Sequence, residues 1–182
     1  MKLDEALKGR RSIRKYRDQS VSMDLVRQIL EAGTWAPSAK NGQQWRFTVL
    51  TGDAKKKLTD LFRRELEVVS GRIGPNNMGS SFSSCSIMEE APVLVIVWNA
   101  GAMGWETEIQ SVAAAIQNML LKAYALGLGT LWIGDIFYTT EALKRYLGKP
   151  WKLTAAVALG WPAEEPKPRP RKSVDDVTDF LT

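Results

Sequence analysis

Four segments of this chain carry side chains whose types and spacing suit chemistry. The first is Arg10-Arg11-Ser12-Ile13-Arg14-Lys15-Tyr16, directly after Gly9. Gly9 is placed to end a short helix, and an extended chain beyond it sends alternate side chains to opposite faces. Arg10, Ser12 and Arg14 then share one side while Ile13 points into a core. Two guanidinium forks and a hydroxyl converging on one spot suit a phosphate monoester, although the same run also reads as a solvated basic turn. The second segment, Ala36-Pro37-Ser38-Ala39-Lys40-Asn41-Gly42-Gln43-Gln44-Trp45, is dense in amides. It reads either as turn chemistry or as a match for the donor and acceptor edge of a heteroaromatic ring. The third is Leu126-Gly127-Leu128-Gly129-Thr130-Leu131-Trp132-Ile133-Gly134-Asp135, where glycines let the backbone approach a flat ligand. It lacks the further glycine of a dinucleotide fingerprint, and Gly127 is equally explained as a helix C-cap before a buried strand. The fourth, Glu165 to Lys172 (EPKPRPRK), has the composition of a basic polyproline-like linker.

Composition removes many alternatives. The chain has 182 residues, 25 Lys+Arg against 20 Asp+Glu, a net charge of +5, no histidine and one cysteine, Cys85. Without histidine there is no Ser-His-Asp or Cys-His catalysis, no His-ligated metal and no His general base. One cysteine excludes an internal disulfide, a CxxC pair and a multi-thiolate metal site. No metal site is expected, so any hard chemistry falls to carboxylates, Tyr, Lys, Ser or a borrowed cofactor. The opening Met1-Lys2-Leu3-Asp4-Glu5 has no apolar run behind it, so the expectation is a cytoplasmic protein without a signal or transit peptide. The apolar run Pro92–Trp98 is too short to span a membrane as a helix.

The elements that must position these segments follow from periodicity. Lys2 to Lys8 carries Leu3, Ala6 and Leu7 at helical spacing. A second helix starts at Ser22 as N-cap and carries Val26, Ile29 and Leu30 to Gly33. Trp45 to Thr51 reads as a strand, and Asp53 to Val69 as a helix with Leu58, Leu61, Phe62, Leu66 and Val69 on one face. Ser70 to Ser86, rich in Gly and Ser, is expected to be a mobile loop or lid. Pro92–Trp98 reads as a strand buried on both faces. Thr107 to Leu126 is the longest expected helix, with Ile109, Val112, Ala113, Ile116, Leu120, Ala123 and Tyr124 forming its face. A strand at Gly129–Gly134, a helix near Thr140–Leu147, a strand at Leu153–Leu159 and an extended tail over 162–182 complete one domain spanning residues 1–182.

Taken in order, the four segments resemble the FMN-dependent nitroreductase family. The match rests on Arg10-Arg11-Ser12-x-Arg14-x-Tyr16, Ala36-Pro37-Ser38-x-x-Asn41-x-Gln43-x-Trp45, and Gly127-x-Gly129-Thr130-x-Trp132-Ile133-Gly134. Leu159-Gly160-Trp161-Pro162 and Pro170-Arg171-Lys172 extend it to the end of the chain. The resemblance implies an α+β fold with a central, mostly antiparallel sheet flanked by helices, assembled as an intertwined homodimer with FMN at the interface. It places Arg10, Ser12 and Arg14, with Arg11 alongside, on the phosphate and ribityl chain. It puts Pro37, Ser38, Ala39 and Asn41 against the flavin of the other subunit, and the backbone of Ile133 and Gly134 at flavin N5. Arg171, with Arg169, would close over the phosphate. The implied activity is hydride transfer from NADH or NADPH through the flavin to an electron-poor acceptor such as a nitroaromatic or quinone. Reductive dehalogenation, flavin processing and a non-catalytic flavin-binding dimer stay open on the same scaffold. Neither nucleic acid nor membrane is an expected partner, the basic segments matching no nucleic-acid motif. Two positions depart from the family pattern: Asp135 stands where a second glycine is common, and Ser70–Ser86 matches nothing in it.

Overall fold

The computed structural model describes residues 1–181; Thr182, the end of the expected tail, lies outside them. Helices α1 (Leu3–Gly9), α2 (Met23–Thr34), α3 (Gly52–Ile73), α4 (Ser81–Glu90), α5 (Glu106–Ala125) and α6 (Thr140–Leu147) surround four strands. These are β1 (Trp45–Leu50), β2 (Val93–Asn99), β3 (Gly129–Ile133) and β4 (Lys152–Gly160), ordered β1-β2-β4-β3 with every neighbouring pair antiparallel.

Strand β2 sits inside the sheet, and all seven of its residues are buried. Its period-2 alternation builds two cores. Val93, Val95 and Val97 face Val26 and Ile29 of α2 and Val112, Ile116 and Met119 of α5. Leu94, Ile96 and Trp98 face Leu58, Phe62 and Leu66 of α3 and Met88 of α4. Helix α2 begins where the Ser22 hydroxyl accepts the Leu25 N–H at 3.4 Å. It packs closely on α5, since a Cβ on Gly33 would lie 2.9 Å from Met119 Cγ.

The chain differs from the sequence reading in two elements. Ser70–Ser86 is not an irregular loop. Ser70 to Ile73 completes α3, Pro75–Asn77 forms a 3-10 turn, and Ser81 to Ser86 opens α4. Ser81, Ser84, Cys85 and Met88 recur at helical spacing and are all buried. The inward face of α5 is also rotated: Ser111, Ala115 and Met119 are buried with Val112 and Ile116, while Ile109 is exposed. Helix α1 buries only Ala6 and leaves Leu3 and Leu7 in solvent. Among the described residues, no helix is long and apolar enough to cross a membrane.

Candidate functional site

The Arg10–Tyr16 segment is extended and lies along the edge of β3. Ser12 forms a parallel bridge with Thr130, and the Ile13 N–H donates to the Thr130 carbonyl at 2.9 Å. The Ile13 side chain is buried over Gly129, where a Cβ would come within 2.7 Å of Ile13 Cγ1; that close approach requires glycine. The far end is tied by Tyr16, which bridges to Pro162 and whose hydroxyl donates to the Ile13 carbonyl at 2.9 Å. Burial raises the Tyr16 pKa and keeps it a neutral donor. The Glu164 carboxylate accepts the backbone N–H groups of Arg14 and, at 3.2 Å, Lys15. The alternation read from sequence is therefore locked at both ends, with Ile13 inward and Arg14 in solvent.

Two cavities open along this segment, one at each end of β3. At the β3 start, a cavity of about 370 Å³ is lined by Arg10, Arg11, Thr130, Glu164 and Pro168. At the β3 end, a cavity of about 240 Å³ is lined by Arg14, Ser84, Trp132, Ile133, Gly134 and Asp135. The first end carries the guanidinium groups of Arg10 and Arg11 beside the carboxylates of Glu164 and Glu165. Burial lowers the Arg10 pKa, and the nearby positive charges of Arg171 and Arg11 lower it further. Among the described residues the ion pairs are Lys56–Asp60, Arg63–Glu89 and Lys144–Glu141, so no acidic side chain pairs with Arg10, Arg14 or Arg171. A cluster of this kind is stabilised by an anion from outside the chain.

Arg11 behaves differently from its neighbours. Its Nη1 donates to the carbonyls of Lys8 at 2.6 Å and Arg10 at 2.8 Å, covering the C-terminal end of α1. Its Nε is buried without a partner. Arg171 folds onto its own backbone, donating to the carbonyls of Arg169 at 3.3 Å and Pro170 at 3.1 Å. Arg169 is exposed and lines neither cavity.

The second cavity has a backbone wall. A Cβ added to Gly134 would meet no atom within 4 Å, so the chain's own packing does not require glycine there. Space is left beside the Ile133–Gly134 backbone, as a flat group lying against it requires. Pro37, Ser38, Ala39 and Asn41 lie away from both cavities, next to the first turns of α5. The Ala39 N–H donates to Ser111 Oγ at 3.1 Å, and the Lys40 ammonium stands 5.0 Å from the Trp105 ring centre. This loop holds three non-glycine residues at positive φ: Lys40 at 53°, Asn41 at 52° and Gln43 at 47°. Such conformations are costly and cluster in functional loops.

Sequence reasoning missed three contributors. Thr130 supplies the pairing that fixes Ser12, a role its place in the third segment did not reveal, and Glu164 pins Arg14 from outside every motif. The third is the acceptor role of Asp135, whose Oδ2 receives the hydroxyls of Ser80 at 2.7 Å and Ser84 at 3.2 Å. Its signal was present as two separate departures, Asp135 and the serine-rich stretch. Cys85 is not a hidden nucleophile: burial pushes its thiol up to about 12.

The sequence profile of the nitroreductase family matches residues 7–161. The chain belongs to the nitroreductase family. A protein of Methanothermobacter thermautotrophicus, named as an NADH dehydrogenase/NAD(P)H nitroreductase, is 32% identical over 91% of this chain and 80% of its own length. The 5,6-dimethylbenzimidazole synthase of Rhodospirillum rubrum is 27% identical over 90% of this chain and 83% of its own length. An FMN-bound protein from Desulfovibrio desulfuricans, solved by crystallography, superposes with a TM-score of 0.78. It has 33% identity and covers 98% of this chain and 96% of that one. Family membership makes this chain an oxidoreductase working through FMN and a reduced nicotinamide. The site fits such a group: unpaired cations at one end of β3, an open glycine backbone at the other.

Proposed function

We propose that this protein oxidises NADH or NADPH and, through FMN, reduces an electron-poor organic acceptor such as a nitroaromatic or quinone. The observation that carries the reading is the pairing, along one strand, of an Arg cluster, without ion-pair partners among the described residues, with open space beside the Gly134 backbone. Bound FMN supplies the two-electron chemistry. The chain supplies binding and orientation. Arg10 and Arg171 neutralise the phosphate, Arg11 holds the first of them beside the end of α1, and Ser12 and Arg14 follow the cofactor toward β3. Ile133 and Gly134 present backbone rather than side chain to the reactive edge, and Trp132 gives the acceptor an apolar surface to lie on.

The working form is a homodimer. Its support is the apolar surface left in solvent: Leu3 and Leu7 of α1, Trp35, Ile109, and Val174, Val177, Phe180 and Leu181 of the tail. The strained Ser38–Gln43 loop, standing away from its own chain's cavities, then reaches the flavin held by the second copy, and the tail with Arg169 wraps that copy.

The visible spectrum of freshly purified protein tests the cofactor, and NADH or NADPH oxidation with a quinone tests the activity. A colourless protein that takes up no FMN would overturn the reading. A monomeric mass with full FMN binding would overturn the shared site. The likeness to a 5,6-dimethylbenzimidazole synthase favours one second reading, oxidative breakdown of the flavin itself. Loss of FMN with formation of a benzimidazole on aerobic incubation with NADPH would select it.

A further inference from the structure

Asp135 is the acidic group in the cavity at the end of β3. Its carboxylate is half-buried and held by Ser80 and Ser84, while the Ser81 hydroxyl contacts its backbone carbonyl at 3.5 Å. These donors place it at the first turns of α4, where the helix dipole favours a negative charge. It is absent from every ion pair among the described residues. Two side-chain donors from the first turns of α4 hold it in the cavity wall. The one cation lining that cavity is Arg14. Under the function proposed above, on which this step rests, Arg14 is engaged by the cofactor. A group approaching the Gly134 edge then meets Trp132, serine hydroxyls and one carboxylate without an ion-pair partner.

We infer that Asp135 sets the charge class of the acceptor: the site takes neutral aromatic acceptors and rejects those bearing a carboxylate or sulfonate. A fixed charge in a half-buried wall acts through an effective dielectric well below that of water, so a like charge entering the same cavity is repelled by a measurable factor. Selectivity of this kind uses a repulsive element rather than a new attractive contact. The serines hold the charge in place, and the charge does the discriminating.

Benzoate and benzamide, alike in shape and different in charge, are suitable probes. FMN content is read first, and each probe is then titrated into the FMN-bound protein while following the visible flavin band. The native protein is expected to bind benzamide more tightly. Asp135→Asn keeps an oxygen for the serine hydroxyls and removes the charge. It is expected to strengthen benzoate binding about tenfold while benzamide changes less than about twofold. Relative kcat/KM for 4-nitrobenzoate over nitrobenzene shifts in the same direction. The Ser80→Ala/Ser84→Ala double variant keeps the charge and is expected to keep the benzamide preference. Equal changes for both probes, an unchanged ratio, or a native preference for benzoate overturns the inference while leaving the FMN reading intact. A colourless protein overturns both.

Discussion

Replacing Gly134 by alanine separates what the fold needs from what the cofactor needs. Gly134 has φ −92° and ψ −29°, a conformation open to any L-residue, and a Cβ there meets nothing within 4 Å. Alanine therefore fits the native backbone and restricts the unfolded chain, which contributes about 0.4–1 kcal/mol of stability. For a chain of this size that raises Tm by roughly 1–4 °C in FMN-free protein. With FMN the sign reverses. The added methyl enters the space beside the ring, and overpacking of about 1–3 kcal/mol weakens FMN affinity by roughly five- to 150-fold. Thermal denaturation of stripped protein and fluorescence titration with FMN measure the two effects separately. Gly129→Ala is the control, because its Cβ would press on Ile13 Cγ1 at 2.7 Å and should destabilise the stripped protein itself. A Gly134→Ala variant that loses stability without FMN, or binds FMN as tightly as the native protein, would refute the argument.

Arg10→Met should weaken FMN binding by roughly ten- to 150-fold, the loss of one charge-assisted contact, without lowering urea stability of the stripped protein. The reason is that burial and the charges of Arg171 and Arg11 already oppose a cation at Arg10; equal losses in both assays would mark it as an ordinary structural residue. Cys85, with its thiol pushed up to about 12 by burial, should react with a disulfide reagent only on unfolding. Rapid labelling of native protein would contradict its place between α3 and α4. The Glu89 pKa is held down by hydrogen bonds from Arg63 at 2.7 and 2.9 Å. A carboxylate whose folded pKa is depressed contributes stability above its unfolded value, near 4.3, and loses it as pH falls through the folded value. Both partners are about one-third exposed, so the contribution is at most about 1 kcal/mol, and Glu89→Gln should flatten the acid limb of urea stability by that amount.

Where a pattern is local and repetitive, the sequence reveals its structure. The unbroken apolar run of β2 marks burial on both faces because alternate residues enter two cores. The alternation around Ile13 likewise gives the burial of that residue, whereas Arg10 and Arg14 line separate cavities and Ser12 lines neither. The helical start of α4 was not legible, because glycine and serine signal loops only when their hydroxyls have water or nearby backbone as partners. Here Ser81 and Ser84 are buried on the inward face with Cys85 and Met88, and the acceptor for Ser80 and Ser84 stands 55 and 51 residues further along the chain. A serine-rich stretch and an acid in place of a glycine are thus one feature seen twice. With glycine at position 135 the serine hydroxyls would lose their acceptor, and the buried Ser84 would carry a desolvation cost. With other residues at positions 80 and 84, the carboxylate would sit beside the site without donors to hold it. Each departure from the family pattern makes physical sense only through the other. Variation at position 135 therefore has to be read together with the first turns of α4 before it is assigned to the chemistry at Gly134.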